Sequence, residues 1–459
     1  MSGVSEVDWR RLDKAVAGRV LRPGESGFRT ASEPFNKRFA KTIPSGVVSV
    51  ATTNDVVRAI EWARETGVAV VARGGGHSFA GYSVNTGLVI DLSGLNTVSA
   101  DGSSGFVTAG GGARMSDVYA AIQPCEMAFA LGNGASVGIA GLALGGGSAA
   151  TSRKFGLTAD ALVATTLVTA DGQILHCDAT ENADLFWACR GGGGGNFGIN
   201  VSLTFQAQPV SNGSTYLLLW NRADAPKVFS VLQETVRKAP DEFSARIGIT
   251  TTGGSDTVVS AIGQYLGPLS ELRDLLDPVR SVAQPIRADI ATRTFWEAKD
   301  YLLHETSAGA FATKTNFTNR PLPDDAIATM LSWIDRWPGS GNPDGGGAAL
   351  FSWGGAVSRV STTDTAFAHR DALFMLSLDT SWGEHDEPAL IDANLRWLNG
   401  LRESLAPYVS DGAYLNFTDP DLADWRTAYH GVNYPRLLEI KRKKDPDGVF
   451  TFEQGIGSR

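Results

Sequence analysis

The chain has 459 residues, 43% of them hydrophobic and 19% charged, with a formal net charge of −9. This length exceeds one ordinary core and predicts two or more domains, while the acidic balance excludes a surface built to neutralise nucleic-acid phosphates and argues against an anionic membrane as partner. Cys125, Cys177 and Cys189 form no CxxC pair, no apolar run reaches membrane-spanning length, and the start "MSGVSEVDWRRLDKAVAGRV" lacks the basic-then-apolar pattern of a secretory signal; the expectation is a cytoplasmic protein with reduced thiols, no disulfide framework and no metal site.

Along the chain, "VVSVA" reads as a buried strand. A helix follows, capped by Thr53 or Asn54, with Val56, Val57, Ile60 and Ala63 at helical spacing and Gly67 as its stop. "VAVVA" is a second strand and runs into "RGGGHSFAGYS". "GLVIDLSGLNTVSA" and "GFVTAGGGARMSDVYAAI" give short strands, a glycine turn and a helix. "ALVATTLVTADGQILHC" is a hairpin turning at Asp171-Gly172, and "LFWACRGGGGGNFGINVSLTFQAQPV" is a glycine run feeding a strand. After about residue 210 the glycine clusters thin and longer helices alternate with strands ("APKVFSVLQETVRKA", "RIGITTTG", "TVVSAIGQYLG", "SELRDLLDPVRSVA"). "WPGSGNPDGGGAAL" reads as a loop, and "NYPRLLEIKRKKDPDGVFTF" as a helix with a basic last turn followed by a Pro/Gly turn.

The 53 glycines are clustered and interrupt apolar segments, a pattern that brings backbone close to something large. Glycine admits φ > 0 and close approach, and successive backbone N–H groups can form a concave anion site. "ARGGGH" fits a diphosphate cradle, with Arg73 adding charge. Gly193–Gly198 matches G-x-G-x-x-G, but a helix-like segment precedes it and a strand follows, the reverse of the dinucleotide fingerprint, so a nicotinamide site is rejected. His77, at the end of the first glycine loop, is either an ordinary hydrogen-bonded histidine or a nucleophile able to bond an activated carbon.

"PSGVVSVATTNDVVRAIEWARETGVAVVARGGGHSFAGYSVNTGLVIDLSGLN" resembles the flavin-binding domain of the vanillyl-alcohol oxidase superfamily, with "VARGGGHSFAGY" similar to its histidine-linkage loop. "GNGASVGIAGLALGGGSAATSRKFGLTADAL" and "DLFWACRGGGGGNFGI" resemble its second and third flavin motifs, and "YHGVNYPRLLEIKRKKDPDGVFTFEQGI" resembles the C-terminal signature of berberine-bridge-enzyme-like oxidases. The four motifs stand in family order over about residues 40–210 and 412–457. The resemblance implies an α+β fold: a PCMH-type FAD-binding domain from two discontinuous segments (1–208, core about 40–208, and the returning segment 412–459) and an inserted substrate domain, 209–411, with an antiparallel sheet covered by helices.

It also implies FAD linked through His77, with Arg73, Gly74, Gly75, Gly76, Ser78 and Gly81 in the first cofactor motif. Gly134, Val137, Gly138, Gly141, Gly145, Gly146 and Asp160 belong to the second. Gly195, Asn196, Gly198 and Ile199 form the third, and Asn416 closes the set. Gly134 stands where many relatives carry a second, cysteinyl link, and Leu142 replaces a frequent histidine, so one covalent bond is expected; bacterial hydroxynicotine-oxidase-like members are similar on this point. Cys125 and Cys189 are expected to be buried fillers. Val137 falls where relatives gate oxygen, which points to an oxidase. In "AYLNFTDPDL", Tyr414 and Asn416 match the catalytic pattern, but Phe417 replaces a tyrosine and cannot accept a proton. Asp379, His304, and His369 with Arg370 are the other candidates for the site, with Trp353 and Trp382 as cavity walls or core. The activity implied is hydride transfer from a carbon bearing oxygen or nitrogen in a small molecule to FAD, with O2 reduced to H2O2. A dehydrogenase with another acceptor, an oxidative cyclase, and a flavin-less binding protein are the alternatives. Monomer and homodimer are both open.

Overall fold

The computed structural model describes residues 4–253, 256–303 and 309–458. Helix Thr53–Thr66 starts one residue earlier than its composition suggests. Thr52 is the cap, because Asp55 completes a reciprocal box: the Thr52 hydroxyl accepts from the Asp55 N–H and the Asp55 carboxylate accepts from the Thr52 N–H. The same buried carboxylate accepts from the N–H groups of Ala17, Gly18 and Ala51, tying the N-terminal strand to this helix.

Helix Thr53–Thr66 is a crossover. Strands Arg19–Leu21, Gly46–Ser49, Leu88–Asp91 and Val70–Arg73 lie in that order in one sheet. The first pairing is antiparallel and the other two are parallel, which requires a long connection. The glycine loop leaves the C-terminal end of Val70–Arg73, where parallel sheets place their ligands. A second sheet is antiparallel throughout and orders Val98–Ala100, Phe106–Gly110, Ile199–Gln206, Leu162–Val168 and Ile174–Asp178. Its hairpin turns at Asp171-Gly172, with Gly172 at φ 81°. A short helix, Ala183–Ala188, precedes Gly193–Gly198 and strand Ile199–Gln206 follows, the reverse of a dinucleotide-fold motif.

Seven antiparallel strands make the third large sheet: Arg287–Arg293, Gly213–Asn221, Thr257–Tyr265, Arg246–Thr251, Gly346–Ser352, Phe374–Trp382 and Ala310–Thr318. Strand alternation divides its faces. Ile247, Ile249, Leu350, Leu376 and Leu378 point to one side, into a core completed by helices Ala225–Lys238, Leu269–Val282, Asp324–Ile334 and Pro388–Leu405. Arg246, Gly248 and Thr250 occupy the other side. The loop expected over "WPGSGNPDGGGAAL" ends at Gly345, and Gly346–Ser352 is a central strand. Its glycines answer to packing and not to turning: a Cβ at Gly346 would stand 2.4 Å from Trp337 Nε1, and one at Gly347 2.3 Å from the Ile249 carbonyl oxygen.

From Ala413 onward the chain packs back on the second sheet, where Trp425, Tyr429, Leu437, Ile440 and Ile456 join a core with Phe129, Leu203 and Phe205. The ammonium of Lys441, in helix Tyr434–Lys444, is buried and donates to the carbonyls of Asn196 and Phe450 and to Asp445, each within 2.7 Å. The Asn196 side-chain oxygen accepts from the Ile456 N–H at 2.8 Å. Among the described residues no helix is long and apolar enough to cross a membrane.

Candidate active site

A cavity of about 1080 Å³ lies between the glycine loops and the polar face of the seven-stranded sheet. Its first wall is backbone. Gly75 and Gly138 meet without side chains: a Cβ on Gly75 would stand 2.3 Å from the Gly138 nitrogen, and one on Gly138 2.4 Å from the Gly75 nitrogen. The N–H groups of Gly74, Gly75, Gly76, His77 and Ser78 donate to nothing among the described residues. Five consecutive unused donors beside a cavity suit an anion such as a diphosphate, and Tyr82 Oη and Ser83 Oγ, also on the wall, are buried without partners. These features fit a large polar ligand of the FAD type.

His77 stacks on Phe35 with centroids 3.9 Å apart, and its Nε2 lies 3.0 Å from Ser136 Oγ. Burial first, then the charges of Arg114 and Arg73, pulls its pKa down to about 4. The imidazole is therefore neutral near pH 7 and keeps a nucleophilic lone pair.

Gly134, Val137, Gly138, Gly141, Gly195, Asn196, Gly198 and Ile199 line the cavity, as do Gly74, Gly75, Gly76, Ser78, Asn416 and Asp379. Other expected cofactor residues lie off the wall. The Arg73 guanidinium turns away from the cavity to the carbonyls of Ser32 and Glu33, at 3.3 and 2.7 Å, and braces Gly76 from behind. Asp160 is the half-buried partner of the buried Arg370 in a two-pronged pair, both contacts 2.8 Å. Gly81 packs on Phe39, Gly145 on the Asn416 amide and Gly146 on Phe367, so these three serve packing.

The catalytic role expected of Tyr414 is also revised. Its ring reaches the wall, but its hydroxyl oxygen accepts from the N–H groups of Gly147 and Ser148, at 3.1 and 2.9 Å, and from Asn416 Nδ2 at 3.2 Å. Burial holds the phenol above its ordinary pKa. Tyr414 thus fixes the 147–148 turn. Asn416 Nδ2 also reaches the Leu142 carbonyl at 2.9 Å. Asp379 accepts from Thr313 Oγ1 and Ser377 Oγ at 2.7 and 2.9 Å. Trp353 lines the cavity, whereas Trp382 belongs to the helix-covered core. His369 stacks on Phe317 away from the wall, and His304 lies outside the described residues. Cys177 and Cys189 are buried, their thiols pushed up to about 12 and about 11 by burial, and Cys125 is half-buried; all three are free.

Among the wall residues not read from the sequence as site residues are Ser136, Phe311, Phe351 and Arg246. The signal for Arg246 was present in "RIGITTTG", where Arg246, Gly248 and Thr250 alternate with two buried isoleucines.

Residues 44–178 match the FAD binding domain and residues 413–457 the berberine and berberine like domain. The FAD-linked oxidoreductase YgaK of Bacillus subtilis (strain 168) is 33% identical over 452 residues, covering 96% of this chain and 97% of that protein. A chitooligosaccharide oxidase of Gibberella zeae is 30% identical, covering 90% and 87%. The solved structure of Physcomitrella patens BBE-like 1 superimposes with a TM-score of 0.89 at 28% identity, covering 98% of this chain and 99% of that one. The chain belongs to the berberine-bridge-enzyme-like family of FAD-linked oxidoreductases, with its PCMH-type FAD-binding fold. It is an FAD-dependent oxidoreductase.

Proposed function

We propose that the protein is an oxidase in which residues 1–208 and 412–459 hold FAD, covalently through His77 alone, and residues 209–411 bind a small organic substrate. FAD, when bound, supplies the hydride acceptor and the electron route to O2, with H2O2 as product. The observation that carries the reading is a neutral, stacked His77 at the end of five unused N–H donors on the cavity wall.

Each residue has a task within it. The N–H groups of Gly74–Ser78 take the diphosphate charge. Ser136 orients the His77 ring. Gly134 carries no thiol, so no second link forms. Val137 borders the cavity beside Gly134 and leaves room for oxygen. With Phe417 unable to accept a proton and the Tyr414 oxygen already accepting from Gly147, Ser148 and Asn416, we assign Asp379 the task of taking the proton of the substrate's O–H or N–H. The likeness to a chitooligosaccharide oxidase supports oxygen as acceptor.

Acid precipitation tests the linkage. A washed yellow pellet with the mass of one added FAD is expected, and none from His77→Ala. A colourless pellet from yellow protein would refute the covalent bond. Stopped-flow mixing of photoreduced protein with oxygen tests the acceptor: slow reoxidation, unchanged in Val137→Leu, would refute the oxidase reading.

A further inference from the structure

Arg246 is the only arginine or lysine among the described residues lining the cavity. Its stem starts on a central strand, and its guanidinium lies over Gly248, where a Cβ would come within 3.2 Å of its terminal nitrogen. Any side chain at 248 would crowd it, so the glycine makes its berth. The guanidinium makes no hydrogen bond and no ion pair among the described residues, and its Cζ sits 5.5 Å from the Phe351 ring centroid. Asp379 is close enough for its charge to act on Arg246 but forms no ion pair with it. Arg246 is half-buried on the cavity wall, and its guanidinium presents five donors in a planar fork to whatever occupies the cavity. Arg222, by contrast, spends its fork on Asp335, and Arg370 spends its own on Asp160.

The wall from Arg246 to His77 is continuous and aromatic. Phe351 meets Phe417 at 6.4 Å, Phe417 stacks on Phe79 at 4.8 Å, and Phe79 meets Phe311 at 4.9 Å. Phe311 meets Phe35 at 6.2 Å, and Phe35 stacks on His77. A flat apolar body fits along this wall, with one end at the guanidinium and the other toward the flavin-holding histidine.

We propose that Arg246 anchors a carboxylate of the substrate, so that the protein oxidises a small organic acid with a flat, aromatic or apolar body. The inference rests on the flavin-oxidase reading above. A carboxylate presents two oxygens to the fork in one plane. A dianionic phosphate ester would bring two charges to a single cation that already feels Asp379. Arg246 is a specificity-determining residue; the proton and hydride chemistry lies elsewhere.

The test is a titration of the holoenzyme with benzoate, benzamide and phenyl phosphate, followed by the change in flavin absorbance. It compares wild type, Arg246→Met, Arg246→Lys and Asp379→Asn. FAD content is read first: a preparation without FAD refutes the flavin reading and the proposal that rests on it. With FAD present, benzoate is expected to perturb the spectrum and to bind about ten-fold or more weakly in Arg246→Met. Arg246→Lys should recover part of that loss, Asp379→Asn should bind benzoate more tightly, and benzamide should bind all four proteins alike. Equal benzoate affinity in wild type and Arg246→Met would overturn the proposal while leaving the flavin reading intact. So would an equal loss of benzamide affinity, which would mean general packing, or phenyl phosphate binding as tightly as benzoate.

Discussion

The glycine wall of the cavity recognises through backbone, whereas the sheet wall facing it recognises through side chains. On the glycine wall, five N–H groups in a row await a ligand, and the loops meet where Gly75 and Gly138 have no Cβ. On the sheet wall, Arg246, Asp379 and a run of phenylalanines project from strands whose reverse face is a packed core. The first arrangement tolerates almost no substitution but says little about which substrate enters. The second has its strands fixed by the packed reverse face, which leaves its cavity-facing side chains free of that constraint. One fold can thus hold one cofactor and serve many substrates.

If backbone approach builds the first wall, one methyl group should ruin it. Gly75→Ala puts a Cβ against backbone atoms of Gly138 that cannot swing aside, and the purified variant should contain no FAD by absorbance and mass. A flavin-replete Gly75→Ala protein would show that the loops are not held in register by this contact. Next in size is the pair that joins the two halves of the chain from behind. Arg370→Met leaves the half-buried Asp160 carboxylate with only the Leu157 N–H as a partner among the described residues, at a cost of about 1.5–3 kcal/mol in urea-unfolding free energy; a loss below about 1 kcal/mol would mean that water replaces the guanidinium at Asp160.

Acid provides a smaller perturbation. His430 is buried and His369 is half-buried with its Nε2 inside the protein, and desolvation lowers the pKa of His369 to about 4 and of His430 to about 3 from an ordinary 6.5. Between those limits the unfolded chain binds protons that the folded one refuses, so stability is full above pH 6.5 and falls as the pH drops toward 4. The expected loss is about 1 kcal/mol per histidine between pH 6 and 5, measurable by urea melts of the FAD-free protein. A flat profile over that range would mean that the two rings are protonated in the fold. The mildest change is Ser136→Ala. It removes one hydrogen bond to His77, worth about 1 kcal/mol, and should slow covalent attachment of added FAD about five-fold. An unchanged rate would leave orientation of the ring to Phe35 stacking.

The same contrast explains what the sequence made legible. Glycine clusters, strand periods and the Asp171-Gly172 turn are local, so the strands, the hairpin and the loops carrying His77 and Gly138 could be read directly. Glycine alone did not distinguish a turn from close packing, and Gly346 and Gly347 were therefore taken for loop when Trp337 and the Ile249 carbonyl required them within a strand. The partner of Asp160 lies 210 residues away, and the carbonyls that draw Arg73 off the cavity belong to a short helix with no sequence signal for that contact. Tyr414 and Asn416 were visible as a pair, but only packing reveals that the phenol oxygen is occupied by Gly147 and Ser148. Arg246 stood in plain alternation with isoleucines, yet the face opposite those isoleucines could as well have met water.

The Lys441 ammonium grips the Asn196 carbonyl across 245 residues of chain. During synthesis the third glycine loop therefore leaves the ribosome long before its brace exists, and the wall residues Tyr414 and Asn416 follow only shortly ahead of that brace. Cofactor capture is in this sense a reading of completeness. A chain interrupted after the seven-stranded sheet would carry His77 and the three glycine loops, yet it would lack the clasp that holds the loop of Asn196 to Phe450 and Ile456. Yellow colour would then report a finished polypeptide as much as a functional one.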